Sequence, residues 1–267
     1  MSERIKKIFE TKGKKLVTFT TGGDPDLNTS LDILKTIINN GIDIIEIGMP
    51  FSDPMADGPT IQESSVRSLS NGTKINDIFE IVMKIRKLNN KIPIILMGYY
   101  NSIFNLGIDN FTAKCAVTGV DGLIIVDLQP EEDSELLTKT KEKGIDLIRL
   151  ITPTTDQKRL TTILSNASGF LYYVTVTGIT GQNSANIEDL KKSINTIKSS
   201  TKLPIVAGFG IKNKNDVEQI STFTDGVVVG SSIVNIIKDN LNDKNKMINE
   251  IKIFTKDLKE GIKEWIG

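Results

Sequence analysis

The sequence predicts an α/β fold of the (β/α)8, or TIM, barrel class. Three observations lead there: eight short apolar runs, helical stretches between them, and a weak internal repeat. The runs are LVTFT (16–20), DIIEIG (43–48), IPIILMG (92–98), DGLIIVD (121–127), IDLIRL (145–150), FLYYVT (170–175), LPIVAG (203–208) and DGVVVG (225–230). Turn residues follow each run, and near-continuous apolarity suits strands covered on both faces of a parallel sheet. Between them, TSLDILKTIINN, INDIFEIVMKIRKLNN, EEDSELLTKTKEKG and NDVEQISTF carry helical periodicity. Strands alternating with helices imply a parallel sheet.

The repeat joins GIDIIEIG at 41, GVDGLIIV at 119 and GIDLIRL at 144. Each reads as a helix ending in glycine, a tight turn and a strand, because glycine accepts the left-handed cap conformation cheaply. Eight such units close naturally into a barrel. A doubly wound open sheet is the structural alternative, and the absence of GxGxxG after the first strand counts against a dinucleotide-binding version of it. The opening MSERIKKIFETKGKK lacks the apolar core of a signal peptide and reads as a short amphipathic helix with Ile5, Ile8 and Phe9 on one side. The longest gap between strands, after the second, holds MPFSDPMADGPT and an extra helix, IQESSVRSLSNG. The next longest, after the sixth, holds TGITGQNSANIEDL. Long loops in compact domains are often functional, and both follow C-terminal strand ends, where barrel active sites are built. No domain boundary, linker or low-complexity segment interrupts residues 1–267, which read as a single barrel domain.

Bulk composition narrows the function. Lys+Arg and Asp+Glu are 33 each, so net charge favours neither nucleic acid nor an anionic membrane. No apolar run approaches the roughly 18 residues of a membrane span. The single cysteine, Cys115, rules out an intrachain disulfide and reads as a small buried residue at a helix end. These features predict a soluble cytoplasmic protein. The chain has no histidine. It supplies no His-ligated zinc site and no Ser–His or Cys–His nucleophile pair, so acid–base chemistry falls to carboxylates, Tyr, Lys or bound water.

Glu46 interrupts the second apolar run. Side chains alternate along a strand, so Ile44, Glu46 and Gly48 share one face while Ile45 and Ile47 share the other. If the isoleucine pair packs on helices, Glu46 points into the barrel near its top, where burial raises a carboxyl pKa toward the range useful for proton transfer. The alternative is an outward Glu46 paired with Lys or Arg. Asp57, in MADGP, reads equally as a turn residue and as a second carboxylate, and its place on the long second loop favours the latter. Asp53 in SDP has the same two readings and could hold the loop's shape. AGFGIKN (207–213) and VGSSIVN (229–235) follow the seventh and eighth strands, where phosphate sites of such barrels commonly form. Gly208, Gly210, Gly230 and Ser231 are the candidates there, ordinary tight turns being the alternative. VTGITGQNS (176–184) has the composition of a closing loop, and Gly181 could add another amide. Tyr172 and Val174 share a face whose direction alternation alone leaves open. Arg149 is expected outward and ion-paired, and Lys212 solvated. No lysine is expected within a strand core, which weakens a Schiff-base mechanism.

The segments IEIGMPFSDPMADGPTIQ, LMGYYNSIF, GVDGLIIVDL, GFLYYVTVTGITG, GFGI and DGVVVGSSIV, in this order, resemble the tryptophan synthase α chain family, from about Phe19 through residue 235. The resemblance implies retro-aldol cleavage of indole-3-glycerol phosphate to indole and glyceraldehyde 3-phosphate. It implies that Glu46 is the acid–base residue at the indole ring carbon and that Asp57 accepts a hydrogen bond from the indole N–H. Thr180 would bond Asp57, and Phe19, Met97, Ile124 and Tyr172 would line the indole and glycerol pocket. Gly181, Gly208, Phe209, Gly210, Gly230 and Ser231 would hold the phosphate. The resemblance also implies no metal or cofactor in this chain, and an α2β2 complex with a β chain that carries pyridoxal phosphate and receives the indole. Pro50, Phe51, Asp53 and Pro54 would contact that partner. Val126, Gln129 and Ser102 depart from proline or alanine in the commoner family pattern and put loop detail in doubt. Rival readings are a self-sufficient indole-releasing lyase, a catalytically weak activator of the partner, and another phosphate-binding barrel enzyme such as a sugar-phosphate isomerase.

Overall fold

The computed structural model describes residues 2–174, 184–208 and 210–262. Among these residues, nine parallel strands form one sheet in the order β5-β4-β3-β2-β1-β9-β8-β7-β6. They are β1 (Lys15–Thr21), β2 (Ile44–Gly48), β3 (Ile94–Gly98), β4 (Gly122–Ile125), β5 (Asp146–Leu147), β6 (Arg149–Ile151), β7 (Leu171–Val174), β8 (Ile205–Gly208) and β9 (Gly226–Val229). The eight expected strands are all present. The fifth is interrupted at Ile148, so that β5 pairs with β4 and β6 with β7. The one-residue link between these halves closes the ring into a TIM barrel.

Alternation sorts the side chains as the pattern requires. Val17, Ile44, Ile95, Ile124, Ile148, Tyr172, Val206 and Val228 fill the barrel interior. Their neighbours Leu16, Ile45, Ile47, Ile94, Leu96, Leu123, Tyr173 and Val227 face outward into a core shared with the helices. Tyr172 is therefore inward and Tyr173 outward. Arg149 lies between inward Ile148 and Leu150, points outward and pairs with buried Asp133. Cys115 is fully buried.

The helices are α1 (Glu3–Glu10), α2 (Leu27–Asn39), α3 (Pro59–Ser70), α4 (Ile75–Leu88), α5 (Tyr100–Leu106), α6 (Ile108–Thr118), α7 (Ser134–Glu142), α8 (Gln157–Ser165), α9 (Ser184–Ser200), α10 (Lys214–Ser221), α11 (Ser231–Asp239) and α12 (Lys244–Glu260). The amphipathic α1 plugs the barrel's N-terminal end. Ile5 is fully buried against the interior cluster, and the Phe9 ring lies 5.6 Å from that of Phe170. The extra helix α3 opens with Pro59 at its first turn, where a missing N–H is harmless. No described helix is long and apolar enough to cross a membrane.

The internal repeat has a second purpose besides its turn. Gly41, Gly119 and Gly144 adopt φ of 78°, 87° and 68°, the left-handed region expected of each cap. Two of the aspartates that follow, Asp43 and Asp121, then latch neighbouring strands. Asp43 Oδ2 accepts the Leu16 amide at 2.8 Å, and Asp121 Oδ2 the Ile94 amide at 2.9 Å. Asp225 repeats the pattern on the Ile205 amide at 2.9 Å. Asp121 also accepts from Arg86, from Arg4 at 3.1 Å and from the Ser2 hydroxyl at 2.6 Å, while Asp146 accepts the Ser2 amide at 2.9 Å. The plug helix is thus anchored to the same carboxylates that register the strands.

No lysine was expected within a strand core, and Lys15, which is buried, is the first residue of β1. Position explains its placement. It sits at the N-terminal end of the barrel, and its ammonium donates to the Thr11 carbonyl at 3.0 Å and hydroxyl at 2.8 Å and to the Lys12 carbonyl at 3.2 Å. It is satisfied there, at the opposite end from the strand C-termini.

Replacing Asp121 by Ala strands the half-buried Arg86 guanidinium and two amide or hydroxyl donors. Stability should fall by about 3 kcal/mol in urea unfolding, the scale for breaking a buried ion pair. Asp32→Ala removes only exposed ion pairs to Lys35 and Lys244 and should change stability by less than about 1 kcal/mol.

Candidate active site

Glu46 lies on the inward face of β2, beside Phe19 of β1 and Ile95 of β3 in the sheet register. It is completely buried, and among the described residues neither carboxyl oxygen has a hydrogen-bond partner. Burial alone pushes its pKa up to about 8. Ionisation in such a place lacks both solvent and counter-charge, so the group holds its proton at neutral pH.

Asp57 sits in a different environment, on the loop between β2 and α3. Tyr99, just past the end of β3, donates its hydroxyl to Asp57 Oδ2 at 3.0 Å. The same hydroxyl accepts the Ala56 amide at 3.0 Å, and the ring of Phe51 stacks on that of Tyr99 with centroids 5.1 Å apart. Three contacts therefore fix the loop to the barrel rim. Burial raises the Asp57 pKa and the Tyr99 hydrogen bond opposes that rise. Tyr172 is raised well above the usual phenol value, first by burial and then by the charges of Glu46 and Asp57, so its hydroxyl stays protonated.

Glu46 and Asp57 open on one cavity of about 310 Å³. Of the residues expected there, Phe19, Met97, Tyr172, Gly210, Gly230 and Ser231 also form its wall. Ile124 is buried in the barrel interior and is not on the wall. Gly208 is not on the wall either. A side chain there would collide with the Tyr172 hydroxyl, so this glycine makes room for the tyrosine. Gly48 does the same for the Phe19 ring, which an added Cβ would meet at 2.6 Å, and at Gly230 an added Cβ would lie 3.2 Å from the Phe19 Cβ. Thr180, Gly181 and Phe209 lie outside the described residues. Pro50, Phe51, Asp53 and Pro54 belong to the opening loop and do not line the cavity.

The far wall is built by β8, β9 and α11. Gly210 takes φ of 75°, the left-handed region. Gly230 precedes α11, which has no side-chain cap. The Ile233 and Val234 amides bond the Gly230 carbonyl at 2.9 and 3.1 Å. The Ser231 and Ser232 amides precede them and have no carbonyl within the helix to bond, which makes this helix start receptive to an anion. Thr60 of α3 donates to Asn235 of α11 at 3.3 Å, and Lys238 pairs with Glu63 at 2.6 Å, joining the two helices at the cavity mouth.

Sequence reasoning missed Ile61, Ile211, Lys212, Val228, Ser232 and Asn235 on the wall, and Tyr99 behind it. Asn235 was within reach, since it lies four residues after Ser231 and so on the same helix face. Tyr99 carried only the signal of a polar aromatic residue ending a strand. The assembled site presents a protonated acid, a second carboxylate and a cluster of amides, joined by an apolar wall. That arrangement suits proton transfer on a ligand with an apolar, N–H-bearing end and an anionic tail.

Glu46 also makes stability depend on pH. The folded state keeps this proton until about pH 8, whereas glutamate ordinarily loses it near 4.5. The folded state therefore binds more protons across that window, and stability falls as pH rises through it. Glu46→Gln should remove this fall and gain about 2–4 kcal/mol on the wild type between about pH 5 and pH 9. With no histidine in the chain, few other groups titrate there. Urea unfolding of both proteins across the range checks it, and parallel stability curves would place the Glu46 pKa near its ordinary value.

Comparison with known proteins bears on what the site does. A family model described as tryptophan synthase alpha chain matches residues 5–263. The tryptophan synthase alpha chain of Petrotoga mobilis is 43% identical over 256 residues, covering 96% of this chain and 98% of that one. Tryptophan synthase subunit alpha from Legionella pneumophila superposes with a TM-score of 0.90 at 33% identity, covering 98% of each chain. A chain of Mycobacterium tuberculosis tryptophan synthase superposes with a TM-score of 0.88 at 27% identity, covering 98% of this chain and 99% of that one. An inward acid at the top of a TIM barrel and these matches along nearly the whole sequence lead to one conclusion: the chain belongs to the tryptophan synthase alpha chain family.

Proposed function

We propose that Glu46 and Asp57 carry out the family's α reaction, the retro-aldol cleavage of indole-3-glycerol phosphate to indole and glyceraldehyde 3-phosphate. The observation that supports this most is the buried Glu46, without a partner among the described residues, facing the same cavity as Asp57. Protonated Glu46 gives its proton to ring carbon 3 of the indole, leaving positive charge on the ring nitrogen. Asp57, with Oδ2 occupied by Tyr99, accepts the indole N–H through its other oxygen and stabilises that charge. The Glu46 carboxylate then removes the proton of the glycerol hydroxyl next to the ring. The bond between that carbon and ring carbon 3 breaks, its electron pair returns to the ring, and an aldehyde and indole form. Glu46 ends protonated, ready for another cycle.

Phe19, Met97 and Tyr172 enclose the ring and the glycerol chain, with Ile124 beneath them. Gly210, Gly230 and Ser231 hold the phosphate through backbone amides and the α11 N-terminus. Gly208 serves this wall by seating Tyr172; Thr180, Gly181 and Phe209, expected to bind the substrate and its phosphate, lie outside the described residues. The chain works as one barrel domain, residues 1–267, in the cytoplasm. It needs no cofactor of its own and docks on a β chain that carries pyridoxal phosphate and receives the indole, giving an α2β2 complex. Pro50, Phe51, Asp53 and Pro54 form part of the docking surface.

Glu46→Gln should bind substrate normally and lose on the order of 10²–10⁴ in turnover, the usual range for a general acid–base group. Near-normal indole release by this variant would remove Glu46 from the mechanism. Tyr99→Phe deprives Asp57 of the hydrogen bond that opposes its raised pKa, so the acid limb of kcat/KM should move to higher pH. An unmoved limb would mean that Asp57 does not act as an anion. Adding β chain should raise indole release sharply, and full activity without it would count against the complex.

A further inference from the structure

Lys212 was expected to be a solvated residue after the glycine loop; it is exposed, and it also contributes to the cavity wall. It is the only cationic residue among the described residues that line this cavity. Its amide donates to Asp216 Oδ2 at 2.7 Å, which pins the backbone at the start of the side chain. Among the described residues its ammonium makes no ion pair. The sheet order places it opposite the carboxylates. Glu46 lies on β2 and Asp57 is tied to the end of β3, while Lys212 follows β8, across β1 and β9 from them. The cavity thus has a carboxylate side and a cationic side, with Gly230, Ser231 and Ser232 beside the latter.

We propose that Lys212 is a binding and orienting residue that attracts the phosphate of the substrate and turns the phosphate end toward β8 and β9. This rests on the phosphate-ester reading of the site above and adds a charge to a wall that otherwise offers amides and hydroxyls. A phosphate dianion entering the wrong way round would meet the Asp57 carboxylate, so the charges reject that orientation as well as favouring the right one. The ammonium is exposed, and a single solvated ion pair contributes modestly and is screened by salt. Its effect therefore falls on capture and affinity, while the proton transfers proceed unaided.

The test uses the full chain, with its β partner present, and compares wild type, Lys212→Met, Lys212→Arg and Lys212→Glu. Indole release is followed as a function of indole-3-glycerol phosphate and of salt, with glycerol 3-phosphate as competitor. Lys212→Met should raise KM and the inhibition constant of glycerol 3-phosphate together, by about three- to tenfold, with kcat within about twofold. Its kcat/KM should depend less steeply on ionic strength. Lys212→Arg should retain most of the affinity, and Lys212→Glu should weaken it further than Met. Unchanged KM, inhibition and salt dependence in Lys212→Met would overturn the proposal, as would a drop in kcat alone. Failure of the wild type to release indole would instead overturn the underlying function, which keeps the two distinguishable.

Discussion

A carboxyl group buried at the cavity wall, without a partner among the described residues, sets the terms for the rest of the site. Glu46 shares its strand face with Ile44, beside Phe19 and Ile95, and burial leaves its neutral form the stable one. That is a destabilising arrangement above neutral pH, and the surrounding structure must hold it in place. Asp57 shows what the alternative environment does. It lies close by but receives a hydroxyl hydrogen bond that favours its charged form. Burial raises both carboxyl groups, but only Asp57 has a hydrogen bond that opposes the rise, so the surroundings favour the proton on Glu46 more than on Asp57.

The opposite end of the barrel carries the order that this arrangement requires. Asp43, Asp121 and Asp225 each accept an amide at the start of a neighbouring strand, and Asp121 and Asp146 hold the plug helix as well. Registration at the foot of the strands fixes where each inward side chain arrives at the top. The division of labour is that of the fold: packing and latching at the N-terminal face, chemistry at the C-terminal one.

Much of this was legible in the sequence because it follows from periodicity. The eight strands, the inward direction of Glu46 and the outward direction of Arg149 depend only on alternation within short apolar runs. The interruption of the fifth strand at Ile148 was not legible, since IDLIRL is apolar and polar in the ordinary strand pattern. The repeat pointed to glycine caps, but the partners of its aspartates are set by strand neighbours distant in sequence. Tyr99 and Lys212 were missed for the same reason. One is defined by a loop folding back from β2, and the other by a cavity wall that exists only once β8 and β9 stand side by side. Lys15 looked absent because its strand begins one residue before the apolar run.

The central claim is that Glu46 carries a proton at neutral pH because burial denies its anion any partner. The most direct measurement is the infrared carbonyl band of a protonated carboxylic acid, taken as the difference between the wild type and Glu46→Gln across pH. The account predicts a band present in the wild type at neutral pH, absent from the variant, and lost with a midpoint of about 8. A band already gone by about pH 5, as for an ordinary glutamate, would contradict it.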